Sequence, residues 1–67
     1  MIVVNGKQRK HGAGEPLVAV LDALGLPADA RGVAVAVEGE VVPRAQWTTF
    51  SIPEGARVEV LTAMQGG

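Results

Sequence analysis

Apolar residues recur with the period of a helix in one segment of this chain, at Leu17, Val20, Leu21 and Leu24, while the rest fall in short β-branched or alternating runs. One helix can cover one face of one sheet, so the chain is limited to an α+β domain with its strands in a single sheet. The helical segment is punctuated at both ends. Pro16 suits the first helical position, where the N–H that proline lacks would have no partner anyway. Gly25, Leu26 and Pro27 fit a Schellman cap, in which glycine takes the left-handed turn and Leu26 folds back onto Leu21. Asp22 lies off the stripe.

Turn chemistry sets the strands around that helix. Ile2, Val3 and Val4 stop at Asn5-Gly6, a pair that favours a type I′ hairpin because both turn residues need positive φ. The returning segment, Lys7 to His11, is polar and basic and suits an edge strand guarded by its charge. After Gly14, the helix and a polar bend through Asp29, Arg31 and Gly32, Val33 to Val37 alternates large and small apolar residues, with Val33, Val35 and Val37 on one face. Glu38-Gly39 turns the chain into Glu40-Val41-Val42, which Pro43 closes because it cannot donate to a ladder. Trp47 and Phe50 stand one 3₁₀ turn apart, so both rings can plug the open end of the core. Pro53-Glu54-Gly55 then turns the chain into a last strand from Arg57 to Met64. The order is ββαβββ, the outline of a β-grasp domain. Its apolar first and last strands are expected as central neighbours.

With 67 residues the domain is near the size at which only ~60% of the unfolded surface is buried, so its core must be compact. An aromatic content of 3% beside 48% hydrophobic residues leaves Val, Leu and Ala to build that core around Trp47 and Phe50. There is no cysteine, so sulfur chemistry at this chain needs sulfur from elsewhere. A formal net charge of −1 gives no electrostatic footprint for nucleic acid. The apolar runs are short, and Met1 to Val4 lacks the basic lead and length of a signal peptide. The expectation is a soluble cytoplasmic protein, monomeric on its own, with no membrane partner.

Gly66 and Gly67 follow the apolar run Val58 to Met64. A diglycine tip without Cβ atoms can thread a narrow slot on another protein and bring its carboxylate to a reacting centre. That favours a carrier, against the plain reading of a frayed terminus. The chain supplies no catalytic acid, base or nucleophile for such work, and no metal site. His11 shares parity with Lys7 and Arg9 and reads as a solvated edge; Arg44 reads as a surface charge that caps a turn, and Trp47 as a core plug. In the last strand Val58, Val60 and Thr62 share one face and Glu59, Leu61 and Ala63 the other. A single helix leaves that second face bare, so Leu61 is expected to be exposed.

Val4-Asn5-Gly6, Val33 to Val37, Gly39-Glu40-Val41-Val42-Pro43-Arg44 with Gln46-Trp47, and Val58 to Ala63 leading to Gly66-Gly67 together resemble the ThiS family, the sulfur carriers of thiamin biosynthesis in the ubiquitin-like β-grasp superfamily. The resemblance runs nearly end to end and implies a β-grasp domain over residues 1–64 with a flexible diglycine tail at 65–67. It implies adenylation of the Gly67 carboxylate by a ubiquitin-activating-enzyme-like (ThiF-like) adenylyltransferase that uses ATP and Mg, with no cofactor bound by the chain itself. A persulfide sulfur donor then makes a thiocarboxylate, which delivers sulfur to a thiazole synthase (ThiG-like). Leu61, Ala63 and Met64 are the expected docking residues for both partners. A carrier for molybdopterin or tRNA thiolation, a ubiquitin-like protein modifier and a plain interaction module stay open as alternatives. Glu38, Pro16 and Ala56 depart from the family's habit of asparagine, a capping threonine and aspartate, with about 1 kcal/mol at stake for a lost cap.

Overall fold

The structure, a computed structural model, describes residues 1–26 and 31–62. Strands β1 (Ile2–Val4) and β2 (Lys7–Arg9) form a hairpin, followed by helix α1 (Leu17–Ala23), strands β3 (Val33–Val37) and β4 (Glu40–Val41), a 3₁₀ turn (Arg44–Gln46) and strand β5 (Arg57–Thr62). They make a five-stranded sheet in the order β2-β1-β5-β3-β4. β1 and β5 run parallel, and the other neighbours are antiparallel. One helix against a mixed sheet is the expected β-grasp arrangement, and the first and last strands are indeed central neighbours. The expected tail, and the part of the last strand beyond Thr62, lie outside the described residues.

Both hairpins turn as their sequences require. Asn5 and Gly6 sit at φ 50° and 84°, Glu38 and Gly39 at φ 52° and 83°. Each non-glycine residue in this strained region is compensated by its own side chain. Asn5 Oδ1 accepts the Val60 N–H at 2.8 Å and Asn5 Nδ2 donates to the Val60 carbonyl at 3.2 Å, so the amide stands in for one more peptide of β1 against β5. Glu38 donates its N–H to the Arg57 carbonyl at 2.8 Å and accepts the Arg57 N–H on Oε2 at 2.6 Å. The glutamate at this turn therefore extends β3 along β5. Asn5→Ala is expected to cost about 1–3 kcal/mol in urea denaturation, because it leaves both polar groups of Val60 without partners and offers nothing for the positive φ.

The helix starts one residue later than expected. Pro16 is the N-cap, extended at φ −67° and ψ 146°, and no side chain caps the first turn. Main-chain carbonyls take that role: the Leu17 N–H donates to Phe50 at 2.8 Å and the Val18 N–H to Trp47 at 3.0 Å. The missing threonine is thus replaced by a loop brought alongside in the fold. The far end closes as the sequence implies, with Leu26 N–H donating to Leu21 and Gly25 N–H to Asp22, and Gly25 at φ 83°.

Leu17, Val20 and Leu21 face the sheet and pack with Ile2, Val35, Val58 and Val60. Leu24, the fourth member of the stripe, is instead 39% exposed, because the helix has ended and it stands at the C-cap. Trp47 is 2% exposed and donates Nε1–H to the Val42 carbonyl at 2.9 Å, and Phe50 packs partly buried beside the core. Arg44 is more than a surface charge: its guanidinium stacks 4.7 Å from the Trp47 ring centroid. Ala56 is buried in the core. β2 stops at Arg9, short of His11, where the chain bends toward Gly12 at φ 132°. A Cβ on Gly12 would lie 2.5 Å from Ile2 Cδ1, so glycine lets the backbone pass over the buried Ile2. β4 ends at Val41, although Val42 still donates its N–H to the Val35 carbonyl.

Candidate functional site

β5 occupies the middle of the sheet, held by β1 on one side and β3 on the other, and it leads directly into residues 63–67. Its side chains alternate as parity requires. Val58 and Val60 are buried under the helix, whereas Arg57, Glu59 and Leu61 point to the bare face. Thr62 continues the buried parity yet is exposed, since it lies where the strand leaves the core.

Leu61 is 70% exposed, as the alternation implies. Its cross-strand partner on β3 is Ala34, and Ala36 lies between Glu59 on β5 and Val41 on β4. The small alanines leave Leu61 and the 74% exposed Val41 standing above the sheet. Half-buried Val3 lies on the same face beside Arg57. The result is an apolar surface with two protruding aliphatic side chains, bordered by the charges of Arg57 and Glu59. Exposed apolar surfaces of this kind often mark sites of protein–protein contact. Among the described residues no group of three His, Cys, Asp or Glu side chains could hold a metal, and His11 is exposed on the other edge of the sheet. No helix among the described residues is long and apolar enough to cross a membrane.

Of the residues singled out for function, Leu61 stands on this face, and Ala63, Met64, Gly66 and Gly67 lie outside the described residues. Ala34 and Val41, which complete the surface, escaped the sequence reading. Their register against β5 was the missing information, although their alternation with buried valines was visible. The reading of Lys7, Arg9 and His11 as one solvated edge needs correction at Arg9. Its side chain is half-buried, and among the described residues its Nε, shielded from solvent, has no hydrogen-bond partner; Arg9 pairs with buried Ile2 and so lies on the face that the helix covers.

A model of the ThiS family matches residues 2–67. The chain is 35% identical to the thiamine biosynthesis protein ThiS of Geobacter metallireducens, whose crystal structure superposes with a TM-score of 0.76 over 98% of this chain and 97% of that one. A solution structure of a thiamine biosynthesis protein from the same organism gives a TM-score of 0.75 at 32% identity, over 98% of this chain and 86% of that one. A curated relative, thiazole synthase of Paramagnetospirillum magneticum, is 32% identical over 66 residues. That match takes in 98% of this chain but 20% of the relative, so the chain spans about a fifth of its length.

Proposed function

The chain belongs to the ThiS family, and from that membership we propose that it is a sulfur carrier of thiamin biosynthesis whose working group is the carboxylate of Gly67. The observation that carries this reading is the family match, which runs from residue 2 through residue 67 and so takes in the diglycine that bears the carboxylate.

A carboxylate is a poor electrophile, because its charge repels nucleophiles and oxide leaves badly. A partner adenylyltransferase with ATP and Mg overcomes both. The Gly67 carboxylate attacks the α-phosphorus, pyrophosphate departs, and the carbonyl now carries AMP as a leaving group. A persulfide donor attacks that carbonyl and expels AMP, leaving an acyl disulfide. A second thiolate attacks the donor's sulfur, forming a new disulfide with it and expelling the thiocarboxylate. Sulfur held in this form is anionic, nucleophilic and tethered, so it reaches the next enzyme at high effective concentration. That recipient is a thiazole synthase, a reading supported by the relative of that name containing a segment that matches this chain. Residues 1–64 act as the docking body and 65–67 as the threading tail. The chain contributes recognition and reach, and its partners contribute catalysis.

Leu61, with Ala34 and Val41 beside it, is the described part of the docking surface, and Ala63 and Met64, which follow β5 in the sequence, are assigned to the same role. Leu61→Asp is expected to leave the melting temperature nearly unchanged, since exposed substitutions stay within about 0.5 kcal/mol. In calorimetric titration the same change is expected to weaken binding to the activating enzyme by about tenfold or more. Loss of folding would instead show that Leu61 serves the core. The carrier reading itself is tested by intact-mass spectrometry after incubation with the activating enzyme, ATP and a sulfur donor. A mass gain matching one oxygen replaced by sulfur is the expected result. An unchanged mass under conditions that charge another ThiS protein would overturn it, and high-mass conjugates would favour a protein modifier.

A further inference from the structure

On the side of the sheet that faces the helix, α1 ends too early to cover everything beneath it. Between Leu24 and Leu26 on one side and β2 on the other lies an open groove of about 500 Å³, floored by Val4 and Val60. Three features of this groove ask for one kind of occupant. The first is an unpaired edge. β2 ends the sheet, and in a two-residue hairpin the Val4–Lys7 pair exchanges both ladder bonds, so the next residue, Gln8, turns its N–H and C=O outward. The second is the apolar floor and wall, where Leu24 stays partly exposed although it belongs to the helix stripe. The third is charge. Lys7 and Arg9 line the groove, and among the described residues no acidic side chain does. A carboxylate is the best complement of two such cations.

We propose that this groove binds an extended segment of a partner protein, which adds to β2 as a sixth strand, points an aliphatic side chain into the groove, and sets a carboxylate side chain against Arg9 and Lys7. The site lies on the opposite side of the sheet from Leu61, so both surfaces can be engaged at once. It does not depend on the tail chemistry.

The test is a nuclear magnetic resonance titration of the isotope-labelled full chain with the blocked peptide Ac-Val-Leu-Val-Asp-Glu-Asp-NH2. The expected result is saturable shifts at Val4, Gln8, Leu24 and Val60, with slowed hydrogen exchange at the Gln8 amide. Arg9→Glu, and separately the exposed Lys7→Glu should Arg9→Glu fail to fold, are expected to weaken binding about tenfold, as is a peptide with lysines in place of its acids. Leu61→Asp is expected to bind the peptide as the parent does. The proposal is overturned by absence of saturable shifts, by shifts confined to the Leu61 face, by an unprotected Gln8 amide, or by charge variants that bind unchanged. Contacts from residues 63–67 to Leu24 in the free chain, or concentration-dependent shifts at Gln8 without peptide, would assign the groove to the chain's own end or to a second copy, and would equally overturn it.

Discussion

A chain shortened by Gly67 is expected to melt at the parent's temperature and to take up sulfur at least about a hundredfold more slowly. The core that closes the domain is built from Ile2 to Val60, so the deletion removes none of its packing. The shortened chain still ends in a carboxylate, now on Gly66, and that is what makes the experiment discriminating. One residue of extended backbone spans about 3.3–3.6 Å, and a misplacement of only about 1 Å at a reacting centre can cost on the order of a hundredfold in rate. The carboxylate on Gly66 would stop short of the position where ATP is attacked. Thermal melting and intact-mass spectrometry on the same sample read the two halves of the expectation. Sulfur uptake at the parent rate would remove Gly67 from the mechanism.

The second large effect is on the fold. Trp47→Ala is expected to lower the melting temperature by about 12 °C or more. Deleting a buried indole costs about 3–5 kcal/mol, and a domain of this size has about 3–10 kcal/mol in total. Among the described residues no other side chain of comparable size is fully buried, so no second large ring shares the load. The ring also anchors the loop whose carbonyls, at Trp47 and Phe50, cap the helix. Trp47→Phe separates volume from hydrogen bonding. It keeps a ring in the core but leaves the Val42 carbonyl without its Nε1–H donor, at about 1–3 kcal/mol. The expected order in chemical denaturation is parent, Trp47→Phe, Trp47→Ala. An alanine variant that melts cooperatively near the parent's temperature would show that the core closes without the indole.

The position of the candidate site was legible further than its extent. Alternation along Arg57–Thr62 was enough to put Leu61 on the bare face, because a strand's side chains have only two directions to choose from. Which residues flank Leu61 depends on the pairing of β3 with β5, and a shift of one residue in that pairing would have replaced Ala34 by a valine. The groove beside β2 was hidden for a related reason. It exists because the helix stops before the sheet does, and its walls come from three separate segments of the chain.

The I′ turn at Asn5-Gly6, the turn at Glu38-Gly39, the Schellman end of the helix, the period-two runs and the single helical stripe were readable from residues in advance, since each reflects a backbone preference acting over a few neighbours. Packing alone decided the rest. Asn5 completes a ladder with Val60, 55 positions away, Glu38 holds Arg57, and the carbonyls of the Trp47 loop take the place of an absent side-chain cap on the helix. Arg9 buries its Nε beside an apolar groove. In each of these a polar group finds, or lacks, its partner only once distant segments are brought within about 3 Å of one another. That separation is a property of the closed fold, and no local preference carries it.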